Sequence, residues 1–430
     1  MYDHVLEPLL TNISNESLWV VMNILYINHY AGSKDLGMEF RPYYLGTHWK
    51  KMGHQVFVLA SSFTHLRVRQ PKVEGGLTHG KIDELDYFWI KGISYVGNGV
   101  GRFVNICQFL IGLWRYRETI LKKCRPDVII ASSTYPMDIW AAKWLVKLSG
   151  AQLVFELHDV WPQSLTEVAG LPQWHPMVLL AAAAERICYR DADRIISLLP
   201  AIHGHATDMG FDLNRLAIVP NGIVTEDWAA TVPYELPSSL LKLISEFKHK
   251  RHMIVCYAGA HGVPNALDNL LKAANLLKDE PVSFLLVGEG NHKVNLRSTL
   301  KQMNLHNVVM HEGISKVLIP ELLAGVDVGF IGAKDMPIYA HGISPNKIVD
   351  YMMAGIPVIC AIDAGNDPVA EAQCGFSVRP NDHQALASVI IDLMRLGNDS
   401  RLELGERGKQ YVLRNYSYEV LANRFLEALK

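Results

Sequence analysis

Residues 342–359 read Gly-Ile-Ser-Pro-Asn-Lys-Ile-Val-Asp-Tyr-Met-Met-Ala-Gly-Ile-Pro-Val-Ile. The stretch predicts a helix over Asn346–Ala354, a stop at Gly355 and a strand over Pro357–Ala361. Ser344 is placed to cap the helix, and Pro345 suits its first turn. Free backbone N–H groups at a helix start attract phosphate. Lys347 adds positive charge, and Asp350 follows about one helical turn later. A carboxylate there can accept both hydroxyls of a ribose. A capped helix with surface charges is the plainer reading of the same residues.

The same rhythm continues outward in both directions. Upstream, strands are predicted at Met253–Gly259, Val282–Gly288, Val308–His311 and Val326–Ile331. Helices are predicted between them at Asn265–Lys278, His292–Met303 and Pro320–Ala324. Helical patterns at His383–Leu396 and Ser400–Leu429 close the chain. The first half carries a second copy of this βα alternation. Its strands fall at Asn23–Asn28, His54–Ala60, Asp127–Ala131, Gln152–Leu157, Arg194–Leu198 and Leu216–Val219. Its helices fall at Arg41–Met52, Arg102–Lys123, Pro136–Ser149 and His175–Tyr189. Alternating βα units imply parallel sheets covered by helices. The expectation is an α/β protein of two Rossmann-like, doubly wound domains facing across a cleft, with ligands beyond the carboxyl ends of the strands. Residues 1–21 are set apart as an extension, 22–224 as the first domain and 225–250 as the connection. Residues 251–410 form the second domain, and 411–430 a C-terminal helix packing back on the first.

Bulk composition agrees. The 430 residues exceed a single ordinary core, and 49% hydrophobic with 20% charged residues describes a globular chain. A net charge of −2 gives no support to nucleic-acid binding. Six cysteines without a CxxC pair argue against structural zinc and a disulfide framework, and suit a cytoplasmic setting. No apolar run approaches the ~20 residues of a membrane span. Arg102–Arg125 mixes Phe103, Phe109, Ile111 and Trp114 with Arg115, Arg117, Lys122 and Lys123. This suits either peripheral contact with the inner membrane or a helix packed on the core. Asp191-Ala-Asp193 is read as a turn and not as a metal site, and no metal or other cofactor is expected.

The quoted stretch resembles the nucleotide-binding segment of the retaining glycosyltransferases of family 4, which have the GT-B fold. That family usually carries two glutamates eight positions apart, then small residues and a Gly-x-Pro-Val strand. Asp350, Gly355 and Pro357 match, whereas Gly342 stands at the first acidic position. The Ser-Pro-Asn-Lys form, Ser344 to Lys347, resembles a subgroup that builds bacterial surface polysaccharides, including transferases of N-acetylfucosamine-type sugars. Gly32, Ser33, Gly37 and Arg41 resemble the first glycine loop and helix of that subgroup. In Glu156-Leu-His158-Asp159, position implies a cleft histidine near the sugar at His158, with Asp159 binding the acceptor or orienting His158. Gly288 and Gly290 resemble the loop that frames the nucleotide. Gly313 and Ile314 resemble the backbone that reads the base. Relatives place an arginine and a lysine after the first strand of the second domain; here His261 and Asn265 stand near those places. Lys347 is the expected substitute, with Asn346 beside it.

The resemblance implies a UDP-sugar donor, a polyprenyl-diphosphate-linked saccharide acceptor, retention of configuration, and work in O-antigen, capsule or exopolysaccharide synthesis. Two other readings stay open. One is a non-hydrolysing UDP-sugar 2-epimerase. The other, prompted by Gly342, is a non-catalytic nucleotide-binding subunit of a polysaccharide assembly complex.

Overall fold

The computed structural model describes residues 20–37, 40–97, 99–228 and 235–430. Apart from Val20 and Val21, the expected N-terminal extension lies outside them, as do residues 229–234 of the connection.

The chain builds two sheets. The first is ordered β3-β4-β2-β1-β5-β6-β7-β8. Its strands are β1 Asn23–Ile27, β2 Gln55–Ser61, β3 Leu77–Ile82, β4 Leu85–Ile90, β5 Val128–Ala131, β6 Gln152–Leu157, β7 Arg194–Ser197 and β8 Leu216–Ile218. Every pairing is parallel except β3 with β4. The second sheet, β11-β10-β9-β12-β13-β14, is wholly parallel. It comprises β9 Met253–Ala258, β10 Val282–Val287, β11 Val308–His311, β12 Val328–Gly332, β13 Val358–Ala361 and β14 Gly375–Ser377. The central strands are mainly apolar because helices cover both faces, leaving no wet side to alternate toward. In β9 and β10 every residue is buried.

Several elements differ from the sequence reading. The hairpin β3–β4 is absent from it. β3 is a half-exposed edge strand with no apolar period, and Asp83, at φ 49°, makes the turn in the left-handed region. β14, only three residues long, is absent from it too. The predicted helix Arg102–Lys123 is two helices, Val100–Arg115 and Arg117–Cys124, broken at Tyr116. The Tyr116 ring packs over Gly76, where an added Cβ would lie 1.9 Å from its hydroxyl. The connection, expected to be partly helical, carries the helix Ser238–His249, packed on β9.

The predicted helix Ser400–Leu429 is likewise two, Gly397–Asn415 and Tyr418–Glu427. The break has a structural cause. Tyr416 O accepts from Ile223 N at 2.8 Å, and Tyr418 N donates to Ile223 O at 3.1 Å, so the tail is stitched to the first chain crossing. Ser417 then caps the last helix, its Oγ accepting from Val420 N at 3.3 Å. That helix packs on the helix Arg41–Lys51, with Trp49 Nε1 donating to Ala422 O at 3.1 Å and the Trp49 and Phe425 rings 4.9 Å apart. Leu421, Phe425 and Leu426 are fully buried there. At about 1.5–3 kcal/mol for each such side chain, this is a major contribution to holding the tail across the domains.

Among the described residues, no helix is long and apolar enough to cross a membrane.

Candidate active site

The carboxyl ends of the two sheets face one another across a cavity of about 550 Å³. Its first-domain wall includes Thr134, His158, Asp159 and Leu198, each just beyond a strand end. Its second-domain wall includes Lys316, Ser344, Asn346 and Asp350. Residues predicted from opposite ends of the sequence therefore meet in one cleft.

On the second-domain side the helix runs Asn346–Met353. Ser344 does not cap it, which corrects the sequence reading. Pro345 stands at the cap position in extended conformation, and among the described residues no side chain caps the first turn. Ser344 Oγ instead accepts from Asn221 N at 2.8 Å, and Asn221 Nδ2 returns a bond to Ser344 O at 3.2 Å. The first-turn N–H groups are thus left without a side-chain cap. Asp350 lines the cleft, and burial raises its carboxyl to about 6 against the opposing pull of Lys316 and Lys347.

Lys347 turns away from the cavity wall. Its chain crosses Gly259, where an added Cβ would lie 2.1 Å from its Cε. Its Nζ lies 3.4 Å from Asn265 Oδ1 and 5.5 Å from the centre of the Tyr257 ring. Burial lowers its ammonium from the ordinary value, with Asp350 opposing. Lys347 therefore occupies the β9 loop, where the resemblance expects other cations.

His261 is fully buried, and burial brings its imidazole down to about 4. Among the described residues, neither ring nitrogen has a hydrogen-bond partner. It packs between two loops that need their glycines: a Cβ at Gly288 would meet Gly259 O at 1.8 Å, and one at Gly290 would meet His261 O at 2.4 Å. Gly313 N donates to Glu289 Oε1 at 3.2 Å, and Ile314 packs on the second-domain core. Lys293 is buried and donates to Gly288 O, Glu289 Oε1 and His311 O.

On the first-domain side, Ser33 closes a turn, its carbonyl accepting from Gly37 N at 2.9 Å, and Gly37 has φ 95°. Gly32 O accepts from the Tyr87 hydroxyl at 2.9 Å. The Arg41 guanidinium is not available to a donor, a second correction. It donates to Glu156 Oε1 at 2.9 Å, Pro220 O at 2.6 Å and Val219 O at 2.8 Å. His158 Nε2 lies 3.1 Å from Ser132 Oγ and 3.5 Å from Glu156 Oε2. Asp159 is exposed to the cleft, and the surrounding protein pushes its carboxyl up despite His158.

The sequence reading assigns no role to Glu156, Ser132 or Lys316. Glu156 has a legible signal, since a lone carboxylate inside a buried apolar strand requires a buried cation. Lys316 has none. It comes from a surface-like segment, and only the fold sets its Nζ 5.6 Å from the Phe40 ring across the cleft.

Gly342 is constrained in three ways. Its φ is 93°, and an added Cβ would lie 2.8 Å from Pro200 Cδ and 2.9 Å from Ala201 N. Ala201 N also donates to His341 O at 3.0 Å, and His341 Nε2 pairs with Gln163 Oε1 at 2.7 Å. The position where the resemblance expects a glutamate is here a contact between domains.

Among the described residues, no group of three His, Cys, Asp or Glu side chains could hold a metal ion. Asp191 pairs with Lys143 and Arg190, and Asp193 Oδ2 accepts from Leu153 N at 2.7 Å, which accounts for that Asp-x-Asp structurally.

Two family models match the chain in tandem. Residues 37–222 match the glycosyl transferase 4-like domain, and residues 252–395 match glycosyl transferases group 1. The chain belongs to the family 4 glycosyltransferases of the GT-B fold. Among curated relatives it is 24% identical to WcaI of Escherichia coli K12, named for glycosyl transfer in colanic acid biosynthesis, over 70% of this chain and 75% of that protein. It is 22% identical to WbjE of Pseudomonas aeruginosa, named as a glycosyltransferase, over 71% and 75%. Among solved structures, Anabaena HepE in complex with UDP and glucose superposes at a TM-score of 0.64 with 16% identity, covering 95% of this chain and 99% of that one. Sucrose-phosphate synthase from Thermosynechococcus elongatus gives 0.69 with 16% identity, over 94% and 96%.

Proposed function

We propose that this glycosyltransferase moves a sugar from a UDP-sugar to a lipid-linked saccharide in bacterial surface-polysaccharide assembly, with retention of configuration. The observation that carries the reading is the opposition of Asp350 and the uncapped Asn346 helix to His158 and Asp159 across one cavity. Asp350 accepts the ribose hydroxyls. The leaving diphosphate gathers negative charge, which the first-turn N–H groups and Lys347 stabilise. Ile314 main-chain groups pair with the base. The imidazole of His158 holds a sugar hydroxyl. Asp159, whose neighbour His158 is already held by Ser132, receives the acceptor. Closure of the domains excludes water and suppresses hydrolysis of the donor. HepE, crystallised with UDP and with UDP-glucose, and the colanic acid name of WcaI support the choice of donor and pathway.

The acceptor reading is supported by apolar exposure on the first domain. Phe103, Ile111 and Trp114 are exposed on the helix Val100–Arg115, with Arg115 beside them. Trp144 and Leu148 are exposed on the helix Asp138–Ser149, which packs next to it. Apolar side chains with basic neighbours suit the surface of an anionic membrane, where such an acceptor resides.

The test is incubation with UDP-sugars and a membrane lipid extract, read by mass spectrometry, with the product anomer assigned by NMR. Transfer to lipid with the anomer retained supports the proposal. Epimerised sugar nucleotide without acceptor, or nucleotide binding with no product, would replace it by the epimerase or the non-catalytic reading.

A further inference from the structure

We infer that Glu156 is a positioning residue for glycosyl transfer: buried beneath His158, it fixes that imidazole and joins it through Arg41 to the turn that locks onto the Asp350 helix. This rests on the role given to His158 above.

Glu156 is fully buried within β6, flanked by Leu153, Val154, Phe155 and Leu157. Such a carboxylate is costly unless paired, and a strand interior has no need of one. Burial alone would push the Glu156 carboxyl up. Arg41, with His158 and Ser132, outweighs it and holds the group at about 2, so it stays ionised at working pH.

Its contacts fix the state of His158. Oε1 takes the Arg41 bond, while Oε2 accepts from the Tyr26 and Ser132 hydroxyls. Ser132 has one proton, and it goes to Glu156. At its 3.1 Å contact with His158, Ser132 Oγ is therefore the acceptor and Nε2 carries the hydrogen. That leaves Nδ1 as the accepting nitrogen of the neutral ring, the tautomer suited to a sugar hydroxyl. The negative charge 3.5 Å from Nε2 also favours the protonated ring.

The same carboxylate faces the domain boundary. Arg41 donates to Val219 O and Pro220 O, and the next residue, Asn221, makes the paired bonds to Ser344. A continuous series of polar contacts thus runs from His158 to the start of the Asp350 helix.

The experiment uses the full chain with Glu156→Gln, Ser132→Ala and His158→Ala. Both of the first two variants are expected to lower kcat about tenfold with UDP affinity by calorimetry unchanged within about twofold. In Glu156→Gln the limb of the pH–rate profile set by His158 should move to lower pH. The Glu156→Gln substitution leaves Arg41 without its counter-charge; if that variant does not fold, Ser132→Ala, which keeps the ion pair, decides the matter. Wild-type kcat in folded Ser132→Ala, or an unshifted pH profile in folded Glu156→Gln, overturns the inference. If His158→Ala itself retains full activity, the role of His158 has failed. If His158→Ala is inactive while Ser132→Ala is unaffected, only the Glu156 assignment has failed.

Discussion

Asn221 and Ser344 exchange two hydrogen bonds across the domain boundary, from Asn221 N to Ser344 Oγ at 2.8 Å and from Asn221 Nδ2 to Ser344 O at 3.2 Å. The link holds the start of the Asp350 helix against the turn Pro220-Asn221-Gly222. A hydrogen bond of this kind contributes about 0.5–1.5 kcal/mol. Ser344→Ala is therefore expected to weaken UDP binding by roughly 2–10-fold, and to broaden the domain arrangement seen by small-angle scattering. Unchanged affinity and an unchanged scattering profile would show that the link is incidental.

Gly342→Glu restores the acidic residue of the family pattern, yet it should abolish activity. Any Cβ there meets Pro200 and Ala201 at under 3 Å, and the backbone sits at φ 93°. Gly342→Ala suffers the same strain, with a loss of about 1–3 kcal/mol by denaturant titration. A glutamate variant as stable as wild type and more active would mean that the domain contact does not exclude the side chain.

Asp350 should show opposite effects on binding and folding. Its carboxyl is raised from 3.8 to about 6, so the anion proposed to accept the ribose hydroxyls is lost as pH falls below about 6, and UDP affinity should fall with it. A raised carboxyl means that the folded state binds its proton more tightly than the unfolded chain. This group therefore lowers stability above about pH 6, and the penalty is relieved as pH falls toward 4. Asp350→Asn should bind UDP more weakly yet melt higher at neutral pH, by on the order of 1–3 kcal/mol. A lower melting temperature at neutral pH would contradict this.

Lys347→Ala should raise the donor KM about tenfold with little loss of fold, because its ammonium lies against an amide oxygen and a ring face and makes no close ion pair among the described residues. An unchanged donor constant would remove Lys347 from the phosphate site.

Trp114→Ser combined with Trp144→Ser should release the protein from anionic liposomes in flotation while leaving UDP binding intact. Equal flotation by the variant would assign those side chains to another surface role.

Residues 342–359, read alone, yield the helix, its strand and the cleft carboxylate Asp350, because those depend on local periodicity and on a resemblance carried by short motifs. The parallel α/β architecture is legible for the same reason: buried strands are continuously apolar, and the alternation of strands and helices is local. Ser344 as a helix cap and Arg41 as a donor ligand are misread from sequence because their partners, Asn221 and Glu156, are brought from over 100 positions away. Gly342 can be seen to depart from the family pattern, but only the packing of Pro200 and Ala201 shows why no side chain fits. The sequence by itself determined the parallel βα framework and placed Asp350 on the helix Asn346–Met353, whereas the edge strands and the helix breaks at Tyr116 and Tyr416 came from the structure. The tertiary structure decided which polar groups face the cleft and which are consumed in holding the two domains together, since that depends on long-range partners with no local signature.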